Sequence, residues 1–118
     1  LGIEFLPFQK SEADVRALYQ NARATIFPQV EDFGLVAAES LACGTPVIAY
    51  NAGGAKEIVN EHAGVLFPAQ TKDGLIKAVQ EFIAREDDFV PEIVAAQAQK
   101  FAKEHFVERI RAAVERCL

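Results

Sequence analysis

The sequence contains no methionine and no tryptophan, and only two cysteines, Cys43 and Cys117. Two thiols so far apart offer neither a metal-ligand spacing nor a disulfide framework. They read as free thiols in a reducing compartment, so a cytoplasmic protein is expected. No run approaches the ~18 consecutive apolar residues of a membrane-crossing helix. Positive charge is scarce: 12 Lys and Arg against 17 Asp and Glu leave a net charge of −5. That balance argues against a general nucleic-acid binder, so no nucleic-acid partner is expected. A phosphate-bearing small ligand stays open, because local backbone dipoles bind phosphate even on an acidic protein. The chain opens Leu1-Gly2-Ile3-Glu4-Phe5-Leu6, without an initiator methionine and at the edge of an apolar run. A piece of a longer protein is therefore expected.

What is present suits one soluble domain with one core: 118 residues, 51% hydrophobic and 25% charged. Short β-rich runs alternate with longer helical ones. Ile3–Phe8 reads as a strand. Ser11–Ala22 reads as a helix capped by Ser11, with Val15, Leu18 and Tyr19 on one face. Thr25–Phe27 is a strand stopped by Pro28, and Gly34–Cys43 a short helix ended by Gly44. Pro46–Tyr50 and Val65–Phe67 are further strands, separated by a Gly53-Gly54 loop and a helical turn over Ala55–Asn60. Asp73–Ala84 is amphipathic, and a charged break at Arg85-Glu86-Asp87-Asp88 follows it. From Pro91 to Leu118 one or two helices are expected, with Pro91 at a first turn. Continuously apolar strands alternating with helices predict an α/β fold, with about four parallel strands flanked by helices. Residues 1–90 form the α/β part of the single domain and residues 91–118 a helical tail. Ligands of such sheets sit beside the loops that follow the strands.

The informative stretch runs from Phe27 to Ser40, through strand, short loop and helix. The loop leaves a parallel strand and opens a helix whose first amides are unpaired, and Gly34 removes a side chain there. Free amides and the positive helix end suit a diphosphate. Glu31 precedes the helix and Glu39 lies eight positions on, inside it. At ~1.5 Å per helical residue the two carboxylates stand on the order of 10 Å apart, roughly the span from the sugar to the ribose of a nucleotide-sugar. Carboxylates accept hydrogen bonds from such hydroxyls. The bare pair also has a plain reading: Asp32 as a helix cap and Glu31 as a favourable charge at a helix start.

The whole segment resembles the E-x7-E motif of family 4 (group 1) retaining glycosyltransferases, and the likeness includes Phe33-Gly34. It continues through Glu39-Ser40-Leu41-Ala42-Cys43-Gly44-Thr45-Pro46-Val47-Ile48-Ala49, through Gly53-Gly54-Ala55-Lys56-Glu57-Ile58-Val59, and through Gly64-Val65-Leu66-Phe67. Leu18-Tyr19-Gln20-Asn21-Ala22 resembles the helix that precedes the motif. The resemblance implies the C-terminal, Rossmann-like donor-binding domain of the GT-B fold, present in part. It implies a nucleoside-diphosphate sugar as donor, no cofactor and no essential bound metal. Glu31 would face the transferred sugar as the catalytic-site carboxylate. Phe33, Gly34 and Leu35 would give backbone contacts to sugar and diphosphate, and Glu39 would bind the ribose. Pro7 and Phe8 lie where the family holds the base through backbone groups. Many members have glycine at the position of Pro7, and proline has no N–H to offer. The Glu-Asp-Phe-Gly variant resembles enzymes of bacterial polysaccharide or lipid-linked mannosyl transfer, which leans toward GDP-mannose.

By the same resemblance, a donor-domain Arg and Lys and the N-terminal acceptor domain would lie upstream of Leu1. The fragment alone is then expected to be inactive, and the parent soluble or peripheral at a membrane. Loss of the neighbouring strands would leave an apolar edge, to be closed by Ile3–Phe8 or by a second copy in a homodimer. The contrasting class is a non-catalytic α/β nucleotide-binding or signalling module of the flavodoxin type. It would need an acidic cluster after its first strand or a phosphate loop, and neither is visible. The remaining conspicuous residues read as structural. Gly44-Thr45-Pro46 enters a strand away from the ligand edge, and Glu57 is a charge at a helix start. Gly53-Gly54 is either a tight turn or a point of close approach for donor or partner domain. His62 and His105 read as surface residues, and Cys43 as a small core residue under the sheet. Phe101, Phe106, Ile110 and Val114 form an apolar helical stripe for core or interface.

Overall fold

A computed structural model describes residues 2–118. Three parallel strands, β1 (Thr25–Phe27), β2 (Val47–Tyr50) and β3 (Gly64–Phe67), pair in the order β1-β2-β3. The register sets Ile26 beside Ile48 and Ile48 beside Val65. The fourth, fifth and sixth strands of a doubly wound sheet pair in the same sequential order. Among the described residues six α-helices accompany the three strands: α1 (Glu12–Asn21), α2 (Leu35–Ala42), α3 (Ala55–Ile58), α4 (Lys72–Ala84), α5 (Pro91–Ala96) and α6 (Lys103–Cys117). Helix α2 packs on β1 and on α5, and α4 packs on β2 and β3.

Local chemistry sets most boundaries. The Ser11 hydroxyl accepts from the Asp14 amide at 3.1 Å and caps α1, and the Thr71 hydroxyl caps α4 from the Gly74 amide at 3.0 Å. Gly44 ends α2 in the left-handed region (φ 80°), with its amide on the Leu41 carbonyl at 2.8 Å. The core gathers Phe27, Leu41, Val47, Ile48 and Val94, all fully buried, between the sheet, α2 and α5. Side chains of this kind each contribute about 1.5–3 kcal/mol on burial.

The segment Ile3–Phe8 corrects the sequence reading. It is irregular rather than a strand, so the sheet has three strands among the described residues and not four. A strand needs a ladder partner for its N–H and C=O groups. The doubly wound order would pair this one with a second strand, and the described residues hold none. It does not dock on the free edge of β1 either: Phe5 is 94% exposed, and Ile26 on β1 is 51% exposed. Two further expectations shift. Helix α1 buries none of its residues, and Leu18 is exposed while Val15 and Tyr19 are half-buried. Of the stripe read for core or interface, Phe101 packs half-buried against the core, while Phe106, Ile110 and Val114 on α6 are exposed and leave only the interface alternative. Segment and helix both project, and the radius of gyration is 15.7 Å against about 13–14 Å for a compact chain of this size.

Candidate functional site

The loop after β1 is held by the turn after β2. The Gly54 amide donates to the Glu31 carbonyl at 2.7 Å. A Cβ on Gly54 would overlap the Phe33 carbonyl, and one on Gly53 (φ 57°) would overlap the Glu31 carbonyl. The glycine pair therefore makes room for the Glu31–Phe33 backbone itself, the close approach that the sequence left open between turn, donor and partner domain. The Glu31 carboxylate, exposed, accepts from Gln29 Nε2 at 3.2 Å. Gly34 adopts φ 84° as the N-cap of α2 and lies buried against Ala55 and Ile58 of α3. Left-handed backbone and this packing are two reasons for glycine here, besides ligand access. The first helical bond of α2 runs from the Ala38 amide to the Gly34 carbonyl at 3.2 Å. The amides of Leu35, Val36 and Ala37 precede that bond and lie at the positive end of the helix.

Glu39, one turn further along α2, is exposed and stands between two cavities. One, of about 580 Å³, is lined by Phe8, Lys10, Arg16, Tyr19, Glu39 and Cys43 among others. The second, of about 350 Å³, lies toward the tail and includes Phe33, Leu35, Glu39 and Phe101. Phe33 meets Phe101 edge-on, with ring centres 5.8 Å apart. The Tyr19 hydroxyl donates to Glu39 Oε2 at 3.3 Å. Burial, then the Glu39 carboxylate, push the Tyr19 phenol above its ordinary value. Burial likewise raises the Cys43 thiol, opposed by the Arg16 guanidinium and aided by Glu39.

The model of the family "Glycosyl transferases group 1" matches residues 2–112. The chain belongs to the group 1 glycosyl transferases. It is 32% identical over 118 residues to a D-inositol 3-phosphate glycosyltransferase of Mycolicibacterium smegmatis, covering 98% of this chain and 27% of that protein. A protein of the same description from Salinispora tropica is 47% identical over 66 residues, 54% of this chain and 14% of its own length. Among solved structures, the sucrose-phosphate synthase of Thermosynechococcus elongatus superposes with a TM-score of 0.73 at 30% identity, over 85% of this chain and 26% of that one. The chain thus spans about a quarter or less of the length of these relatives.

Within this group 1 glycosyl transferase chain, the expected site residues fall into two clusters. Phe33, Leu35 and Glu39 share the tail-side cavity, and Phe8 joins Glu39 in the larger one. Glu31 lines neither; it is fixed instead by Gly54 and Gln29. Pro7 is exposed, and its carbonyl accepts from Gln9 Nε2 at 2.6 Å. Cys43 departs from its reading: it caps the end of α2, half-buried and beside Glu39, rather than under the sheet. His62 and His105 lie on the surface, and Glu57 is exposed on α3. Tyr19, Arg16 and Lys10 were not singled out as site residues. The signal for Tyr19 was present in the Leu18-Tyr19 pair, whose half-buried tyrosine faces α2 instead of a core.

Proposed function

We propose that this chain is part of the donor half of a retaining glycosyltransferase, which moves a sugar from a nucleoside-diphosphate sugar to an acceptor hydroxyl. The observation that carries the reading is the loop-to-helix unit from Glu31 to Glu39. One carboxylate stands at the clamped loop, free amides open α2, and the second carboxylate stands on a cavity large enough for a nucleoside. Glu31 positions the transferred sugar. The amides from Phe33 to Leu35, with the helix end behind them, stabilise the charge that develops on the departing diphosphate. Glu39 accepts from the ribose hydroxyls, and Pro7 and Phe8 border the base.

The donor is a nucleoside-diphosphate sugar with GDP-mannose as the first candidate, and the product belongs to glycan or lipid-linked polysaccharide synthesis in the cytoplasm. The names of the relatives, for inositol phosphate and sucrose phosphate, support a hydroxyl-bearing acceptor. An N-terminal acceptor domain completes the site, and the free edge of β1 accepts either that protein's own strands or a second copy. The test is an NMR titration of the chain with GDP, UDP and ADP, with Glu39→Ala as control. Selective shifts at Phe33–Leu35 and Glu39, lost in the variant, support the reading and name the base. A folded chain with no shifts at millimolar nucleotide counts against a donor site in these residues.

A further inference from the structure

A buried hydroxyl network ties α1 to α2 and to the turn that follows it. Ser40, fully buried on α2, shares a hydrogen bond with the Thr25 hydroxyl at 2.8 Å and donates to the Thr45 carbonyl at 2.9 Å. Thr45, a residue only 3% exposed, donates its hydroxyl to the Tyr19 carbonyl at 2.6 Å. The Ala22 amide donates to the same carbonyl at 3.0 Å. The Thr45 bond ties the main chain of Tyr19 to the turn that follows α2, and the Ala22 bond closes α1 itself. Its ring crosses to α2 and its hydroxyl reaches Glu39 Oε2 on the wall of the cavity.

We infer that Tyr19 is a positioning residue for Glu39: its hydroxyl holds one carboxylate oxygen so that the carboxylate presents its remaining lone pairs to a vicinal diol in the cavity. The inference rests on the donor-site reading above and names its ribose-side positioning group. Three features support it. A phenol that stays protonated is a donor only toward a carboxylate, which accepts only. A carboxylate has about four lone-pair sites, so the one bond from Tyr19, a long one at 3.3 Å, leaves the others for a ligand. An exposed glutamate on a helix otherwise samples several rotamers, each of which would have to be lost on binding.

Tyr19→Phe removes the hydroxyl alone and keeps the ring. The measurement is calorimetric affinity for GDP, UDP or ADP, whichever the chain binds, and for its 2′,3′-dideoxy counterpart. Wild type, Tyr19→Phe and Glu39→Ala are compared. The expected result is a ribonucleotide affinity about three- to tenfold weaker in Tyr19→Phe, with the dideoxy affinity unchanged. Equal weakening of both ligands, no weakening, or loss of the fold in Tyr19→Phe makes Tyr19 structural and overturns the inference. If Glu39→Ala still weakens the ribonucleotide in that case, the donor-site reading stands alone. If wild type binds both ligands equally or neither, and Glu39→Ala changes nothing, the donor-site reading falls and takes this inference with it.

Discussion

The Gly54 amide and the Glu31 carbonyl lie 2.7 Å apart, so the turn after β2 fixes the height of the loop after β1. A methyl group on Gly54 would overlap the Phe33 carbonyl, a backbone atom that cannot swing aside. Gly54→Ala is therefore expected to cost about 1–3 kcal/mol, as overpacking does. Urea denaturation reads the loss. Amide shifts concentrated at Glu31–Phe33 would show that the loop has moved, and shifts spread evenly over the sheet would refute the clamp.

Ser40 predicts a different kind of loss. Its hydroxyl is fully buried between Thr25 and Thr45, and both partners depend on it. Ser40→Ala leaves the Thr45 carbonyl without that donor inside the fold, and about 1–3 kcal/mol of destabilisation is expected. Thermal unfolding monitored by circular dichroism measures it. A melting temperature equal to that of wild type would mean that water replaces the hydroxyl.

The sequence made the local elements legible where chemistry is local. Pro28 and Gly44 stop their elements where expected, and Ser11 caps α1. The helix expected over Gly34–Cys43, found over Leu35–Ala42, is equally clear, because its residues resemble a family pattern. What failed depends on distant partners. Ile3–Phe8 has the composition of a strand but no neighbour to bond, and the α6 stripe has the period of a packed helix but nothing beneath it. Periodicity places Tyr19 on an apolar face, since it counts a tyrosine as hydrophobic and is blind to its hydroxyl. The glycine pair at 53–54 left two readings open, and only the fold shows that the group approaching it is the Glu31–Phe33 backbone.

A pH dependence follows from Arg23 and Glu86, which form a two-pronged pair between the end of α1 and the charged break, with Nε on Oε1 at 2.7 Å. The hydrogen bond from Arg23 holds the Glu86 carboxyl below its ordinary value. The folded chain then binds fewer protons at this site than the unfolded chain in mild acid. The stabilising contribution is present above the unfolded carboxylate value of about 4.3 and is lost as pH falls through the lowered folded value. Arg23 is largely exposed and Glu86 half-buried, so solvent screening keeps the effect small. The melting temperature of Glu86→Gln should lie slightly below wild type at pH 7 and converge on it as the pH falls through the lowered folded value. A gap that persists in acid would mean that the pair is held by something other than charge.

Leu41 and Ile110 both sit on helices with apolar faces, and their substitutions should differ sharply. Leu41 has no exposed surface and packs in the core on the inner face of α2. Leu41→Ala removes buried methyl groups and leaves a cavity, at an expected cost of about 2–5 kcal/mol. Ile110 is 48% exposed on a helix that buries none of its residues. Ile110→Lys removes no packing from this chain, so stability should change by about 0.5 kcal/mol or less. Denaturant midpoints of the two variants at low protein concentration decide the matter. A large loss for Ile110→Lys that grows with protein concentration in the wild-type comparison would show that the stripe is already covered by a second copy. A large loss independent of concentration would show that α6 packs on its own domain after all.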